Sequence, residues 1–346
     1  MSEPDFSGID PLRVPEARRR VEAIRRYLAL EAPSSADTTR IASTIGLSRV
    51  QFGRLVRAWR DHRDAALLYR ACRSNVRIIP TITNSYNGNM LHTILADEKL
   101  RKYHLQVIVE EVLDRDYDGI DIDYENVLAE DKDRYSSFIQ TLADALHQEG
   151  KMLTVTVQGK TWDAAGMNGP GGQDYQLLAQ NADELRVMAY GWCWRTGCVG
   201  STPPGPIGPM HWLKNIIRYC TTKAPKDKII LGLHLYGYNW TKTESGFNGR
   251  SLVWKQADKL LQEHNLTPEW WQTDAKGRPV LEPWISFEDG AQSVTFANAQ
   301  SVTARIELAK RAGIRGVILW RLGGEDPKLW TNLSTSVPPI TPAIES

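Results

Sequence analysis

Four carboxylates stand within eight residues, in the stretch Asp118-Gly119-Ile120-Asp121-Ile122-Asp123-Tyr124-Glu125. Asp121, Asp123 and Glu125 alternate with Ile120, Ile122 and Tyr124, the two-residue period of a pleated strand. One face of such a strand is apolar, and the other carries three acids in a row. A solvated edge strand would account for the alternation without any chemistry. Against that, the stretch is one of several short apolar runs set among helical patterns, the signature of a parallel sheet buried on both faces. In that setting three carboxylates cannot all ionise at low cost. Desolvation and like charge raise their pKa values, and the group titrates as a unit. Carboxylates so perturbed at the end of a buried strand mark a reactive site. Asp123 and Glu125 have Cβ atoms roughly 6.5–7 Å apart on a strand, a spacing that does not by itself choose a mechanism.

The elements that position these acids follow in order. Residues 77–83 form the first clear strand, ending in the polar loop 84–89. Helical spacing over 100–113 leads into the acidic strand, and a second helix over 131–148 stops at Gly150. Strands are predicted at 152–158, 185–189, 229–235 and 317–320, making six. A long insert at about 241–298 holds a helix near 253–264. It also holds a hairpin, 284–287 with 293–296, turned at Asp289-Gly290. Such an insert either walls one side of a groove or decorates the surface.

The acidic stretch matches the D-x-x-D-x-D-x-E signature of glycoside hydrolase family 18, the chitinase-like glycosidases. The resemblance runs over about residues 77–333. Met188-Ala189-Tyr190 resembles the sixth-strand M-x-Y of the family. Residues 230–240, ending Tyr236-Gly237-Tyr238-Asn239-Trp240, resemble the seventh strand. Residues 316–326, with Trp320-Arg321-Leu322-Gly323-Gly324-Glu325-Asp326, resemble the eighth. These forms, with Pro204-Gly205-Pro206-Ile207-Gly208-Pro209, are most similar to the bacterial spore-cortex and peptidoglycan N-acetylglucosaminidase branch.

The resemblance implies an α/β fold, a (β/α)8-type TIM barrel with the acidic motif on its fourth strand and Glu125 at the C-terminal mouth. Two strands should precede 77–83, and no pattern for them is found beyond a weak run at 65–69. Either the first two βα units are lost, or another element closes the barrel; open edges need a helix or a second chain to cover them. A homo-oligomer is one way to close it.

The implied chemistry is retaining and substrate-assisted, the substrate's own acetamido oxygen attacking C1. Glu125 is then the general acid and later the base. Asp123 orients the acetamido nitrogen, Asp121 shares a proton with Asp123, and Tyr190 donates to the acetamido oxygen. Trp320 forms the floor beneath the reacting sugar, or else is a core residue at the barrel end. Tyr236 and Asn84 are sugar contacts or packing and loop-capping residues. Where the family often has Asp after the sixth-strand Tyr, this chain has Gly191, so Trp192 and Trp194 are candidates to stack on sugar instead. The expected partner is an N-acetylglucosamine-containing glycan, peptidoglycan or chitin-type, with no cofactor and no metal. The rival readings are a lectin-like binding protein, against which the intact Glu125 argues, and a sugar-sensing regulator.

The chain has 346 residues and a formal net charge of +1, which gives no bulk electrostatic partner. That average hides an asymmetry. Residues 1–75 hold fourteen Arg, no Lys and nine acids, while the rest is acidic by four. The shift suggests domains at 1–75 and 76–335 and a tail at 336–346. The first domain reads as helical over 14–30, broken at 32–35, and then resembles a helix-turn-helix over 38–60. Gly46 lies at its turn, Ser48 caps the second helix, and Arg49, Gln51, Arg54, Arg57 and Arg60 decorate it. DNA binding through residues 1–75 is one reading, a solvated or protein-docking Arg face the other. No signal peptide is seen at the start and no run is long enough for a membrane span, so a cytoplasmic protein is expected, released by lysis or non-classical export. Of Cys72, Cys193, Cys198 and Cys220, the pair 193/198 could close a short loop in an oxidising compartment. For a cytoplasmic chain free thiols are expected.

Overall fold

The structure, a computed structural model, describes residues 14–30, 33–62, 77–115 and 117–336. The run at 65–69, Cys72, the expected boundary at residue 75 and the tail beyond residue 336 lie outside the described residues. Two compact units make up the chain: Met1–Ile79 with Glu110–Asp118, and Pro80–Val109 with Gly119–Ser346.

The first unit contains three helices, α1 (Val14–Leu28), α2 (Ser35–Ser43) and α3 (Arg49–His62). Ser34 opens α2 with a reciprocal cap: its Oγ accepts from Asp37 N and its own N–H donates to Asp37 Oδ2, satisfying donors a helix start leaves open. Ser48 and Gln51 do the same for α3 at 3.2 and 2.9 Å. Ile24, Ile41, Ala42, Phe52, Leu55 and Trp59 form the shared core. Gly46, with φ +69°, makes the turn between α2 and α3.

The second unit is built on six strands, β1 (Thr81–Thr83), β2 (Gly119–Asp123), β3 (Met152–Gln158), β4 (Glu184–Met188), β7 (Ile229–His234) and β13 (Gly316–Trp320). They pair side by side in that order, every pair parallel. This is the sheet of a TIM-barrel-type α/β fold, with six strands among the described residues where the full barrel has eight. Among those residues β1 and β13 each have a single neighbour. Between the strands lie α4 (Gly88–Ala96), α5 (Glu98–Asp114), α6 (Lys132–Gln148), α7 (Tyr175–Asn181), α8 (Met210–Lys223) and, before β13, α10 (Ala299–Ala312); α11 (Lys328–Ser336) follows. Tyr135, Phe138, Ile139, Leu142 and Leu146 lie on one stripe of α6 and are buried, as a helix packed on a sheet requires. No described helix is long and apolar enough to cross a membrane.

The acidic strand is shorter than its sequence pattern, and its alternation is real. Ile120, Ile122 and Tyr124 are buried, and Tyr124 lies against His104 and Phe138 on the helix side. Asp121 and Asp123 point to the other face. Helix α4 is missing from the sequence reading, which leaves 84–89 as loop. It is capped by Asn87, whose Oδ1 accepts from Met90 N at 3.0 Å. It begins at Gly88, where a Cβ would stand 2.1 Å from Asn126 O, so only glycine permits the approach.

Two other expectations need correction. The strand expected at 229–235 is there as β7, but the family-like stretch 230–240 does not stay in it: the chain breaks at Leu235, and β8 (Tyr236–Thr243) leaves the parallel sheet. There it joins β9 (Gly246–Val253), β10 (Glu269–Thr273), β11 (Pro279–Phe287) and β12 (Gln292–Thr295) in a five-stranded antiparallel sheet ordered β10-β11-β12-β8-β9. The insert is therefore a whole second sheet, flanked by α9 (Trp254–Glu263), and the expected hairpin is its β11–β12 pair. The second correction concerns the thiols. Cys193 and Cys198 are joined as a disulfide, and Cys220 is free and buried. The short β5 (Cys193–Trp194) and β6 (Gly197–Cys198) pair antiparallel with the two cysteines directly opposite. That tight turn brings their Cα atoms to 3.9 Å.

A buried knot ties the second sheet to the parallel one. Glu282 of β11 accepts from Ile207 N at 2.7 Å, Gly208 N at 2.8 Å and Arg305 Nη2 at 2.8 Å. Arg305 also donates to the carbonyls of Leu281, Ser301 and Gly208. His234 of β7 stands 3.4 Å from Glu282. Burial and then Arg305 hold its pKa well below the ordinary value, so it stays neutral and only the arginine pairs in charge.

Candidate active site

Asp121 lies deepest. It is 2% exposed and accepts from Thr154 Oγ1 at 2.6 Å, Thr156 Oγ1 at 2.9 Å and Thr81 Oγ1 at 3.1 Å. Arg186 Nη1 stands 3.6 Å away. Burial pushes its pKa up, while Arg186 and the three hydroxyls pull against that. Those partners come from β1, β3 and β4, so the strands on both sides of β2 hold this one carboxylate.

Asp123, one pleat further on, has no such support. Its Oδ1 is buried without a hydrogen-bond partner among the described residues. Burial, then Glu125 and Asp121, push its pKa up to about 7. Glu125 follows just past the strand end, and burial raises its pKa as well. Its side chain is placed through its backbone. Asn84 Nδ2 donates to Glu125 O at 2.7 Å, and Glu125 N donates to Asn84 Oδ1 at 3.0 Å. The preceding carbonyl, Tyr124 O, accepts from Gln173 Nε2 at 3.0 Å, and Gln173 Oε1 in turn accepts from Gln158 N at 2.9 Å.

Tyr190 lies just past β4, beside a hollow of about 70 Å³ that Asp121, Asp123 and Trp320 also line. Burial, Tyr236 and the three carboxylates all push the Tyr190 hydroxyl upward, so it remains a protonated donor near neutral pH. Its ring meets Tyr236 edge-on at 6.2 Å. Trp320 is 53% exposed at the end of β13, so it is not a core residue. From the hollow, Trp320 leads into a cavity of about 770 Å³ lined by Tyr236, Tyr238 and Arg321.

The structure thus brings Asp121, Asp123, Glu125, Tyr190, Trp320 and Tyr236 together. Asn84 is also there, buried under Glu125 and bound to its backbone, so it holds the acid in place. Trp192 is not brought to the hollow. Its ring packs on His211 and Trp212 at 5.5 and 5.3 Å and belongs to the aromatic cluster around the disulfide. Trp194 is exposed on the disulfide hairpin, and its carbonyl accepts from Trp240 Nε1 at 3.3 Å. Gly191, which stands where the family often has Asp, has φ +84°, the left-handed region that favours glycine.

Sequence reasoning missed Arg186, Thr154 and Thr156. The signal was available: Arg186 shares the two-residue phase of Met188 and Tyr190, and the two threonines share a face of β3. It also missed Gln173 and Tyr238, which act across long chain separations that no local pattern encodes.

Comparison with known proteins agrees with this arrangement. Residues 51–325 match the sequence model of glycosyl hydrolases family 18. The match begins within α3, ahead of the strand where the resemblance starts on motifs alone. The cortical fragment-lytic enzyme of Bacillus subtilis (strain 168) is 27% identical over 266 residues, 75% of this chain and 60% of that protein. The chain therefore spans about 60% of that relative's length. The crystal structure of the Bacillus cereus spore cortex-lytic enzyme SleL has a TM-score of 0.67 at 22% identity, covering 97% of this chain and 72% of that one. A chitinase from Chromobacterium violaceum has a TM-score of 0.66 at 23% identity, covering 91% and 94%. Those two structures share the fold. On the match over residues 51–325, this chain belongs to glycosyl hydrolases family 18.

Proposed function

We propose that this chain hydrolyses β-1,4-linked N-acetylglucosamine glycans, of peptidoglycan or chitin type, with retention and with help from the substrate's own acetamido group. Glu125, whose pKa burial raises, gives its proton to the glycosidic oxygen as the C1–O bond breaks. The acetamido oxygen attacks C1 and closes an oxazolinium ring. Asp123 orients the acetamido N–H and offsets its developing positive charge, and Tyr190 donates to the acetamido oxygen. The Glu125 carboxylate then takes a proton from water, whose oxygen attacks C1, opens the ring and restores both the acetamide and the β configuration. Trp320 offers its exposed face to the sugar.

The observation that carries the reading is the unpartnered Asp123 between two other acids, beside Tyr190 and Trp320 in one hollow. A carboxylate left without hydrogen bonds in a buried site costs stability, and a cationic intermediate supplies the missing partner. The test is turnover of a chromogenic N-acetylglucosamine oligomer, with the anomer of the first product read by NMR. Glu125→Gln should lose about 10²-fold or more in kcat, and the wild type should release the β anomer first. An α anomer, or a Glu125→Gln variant within threefold of wild type, would refute the mechanism. Firm binding with no turnover by the wild type would point to a lectin.

A further inference from the structure

Away from the acids the groove changes character. The cavity that begins at Trp320 is also lined by Lys255 and Arg321. It shares Tyr238 and Ser251 with a further cavity of about 820 Å³, lined by Arg195, Asn248 and Arg250. Both volumes suit ligand grooves. Together they line a path from the hollow across the insert sheet, with Tyr236 and Tyr238 of β8 along it. Four cations border this path and no carboxylate does.

That is not the background of the surface, because residues 76–346 are acidic by four. Nor are the cations used within the protein. All four are exposed, and none forms an ion pair among the described residues. Arg195 Nε donates to the neutral amide oxygen of Asn248 at 3.0 Å, which aims the guanidinium without neutralising it. Tyrosine faces with free cations at intervals suit a sugar strand that carries negative charge.

We propose that this arm of the groove reads carboxylates on the glycan, so that the preferred substrate is an acidic strand of N-acetylated amino sugars rather than neutral chitin. Lys255, Arg321, Arg250 and Arg195 are the residues that determine specificity. This rests on the glycosidase reading above. The carboxylates could be borne on the sugars as lactyl ethers or on peptide branches, and the experiment separates the two sources.

The experiment compares kcat/KM of the full chain on four probes: solubilised peptidoglycan strands, the same strands freed of peptide, the same strands with carboxylates converted to amides, and a chitin oligomer. Exposed charge pairs contribute about three- to fivefold each. The acidic strands should therefore lead the amidated ones by about tenfold or more at low salt, and the lead should shrink at high salt. Lys255→Ala and Arg250→Ala should each cut that lead about threefold. If peptide-free strands keep the lead, the lactyl carboxylates carry it; if they lose it, the peptides do. Equal kcat/KM on acidic and amidated strands, or a lead indifferent to salt and to both substitutions, overturns the proposal. No turnover of any of the four glycans refutes instead the glycosidase reading on which it rests.

Discussion

Replacing Asp123 with Asn should stabilise the protein while abolishing its activity. Burial and two neighbouring acids lift the Asp123 pKa from an ordinary value of about 4 to about 7. Between those values the folded state binds the proton and the unfolded chain does not, so stability falls as pH rises through the interval. At about 1.4 kcal/mol per pKa unit, a charged Asp123 costs the fold at most about 4 kcal/mol. Halving that for residual solvent access leaves about 2 kcal/mol at pH 8. Asparagine has nearly the same shape and no charge, and Asp123 Oδ1 has no hydrogen bond to lose. Near pH 4 the two proteins should have the same stability. At pH 8 the variant should be more stable by about 2 kcal/mol, or about 3 °C in melting temperature for a chain of this size. Urea titrations and thermal melts at both pH values measure this. A variant no more stable than wild type at pH 8, or equally stabilised at both pH values, would show that Asp123 is not a strained charge.

Two further perturbations probe the support around the site. Asn84→Ala removes both hydrogen bonds to the Glu125 backbone and should lower kcat about tenfold with little change in KM; an effect on KM alone in steady-state kinetics would contradict that role. Glu282→Ala leaves Arg305 charged and buried without its partner, and should cost about 3–5 kcal/mol in urea denaturation. Removing the exposed Lys259–Glu263 pair should cost less than about 1 kcal/mol, and comparable losses at the two sites would contradict the assignment of the knot.

The acids were legible because alternation along β2 depends only on local periodicity, and burial then follows from the sheet around it. Tyr190 and Trp320 were legible through family motifs at strand ends. What escaped were features set by chain segments far apart. Asn84 reaches Glu125 across a separation of 41 residues, and nothing near Asn84 announces its partner. The strand break at Leu235 is hidden because Tyr236, Tyr238 and Trp240 continue an apolar run; only pairing with β12 and β9 moves them to another sheet. An argument from compartment predicts free thiols at Cys193 and Cys198, whereas the four-residue turn between them favours closure.

Thr81 and Asn84, which secure Asp121 and Glu125, belong to or directly follow β1, a strand of three residues at the margin of its sheet among the described residues. Short marginal segments open first when a protein is warmed. On gentle heating the proposed activity would go silent while the spectroscopic signature stayed native, and it would recover on cooling.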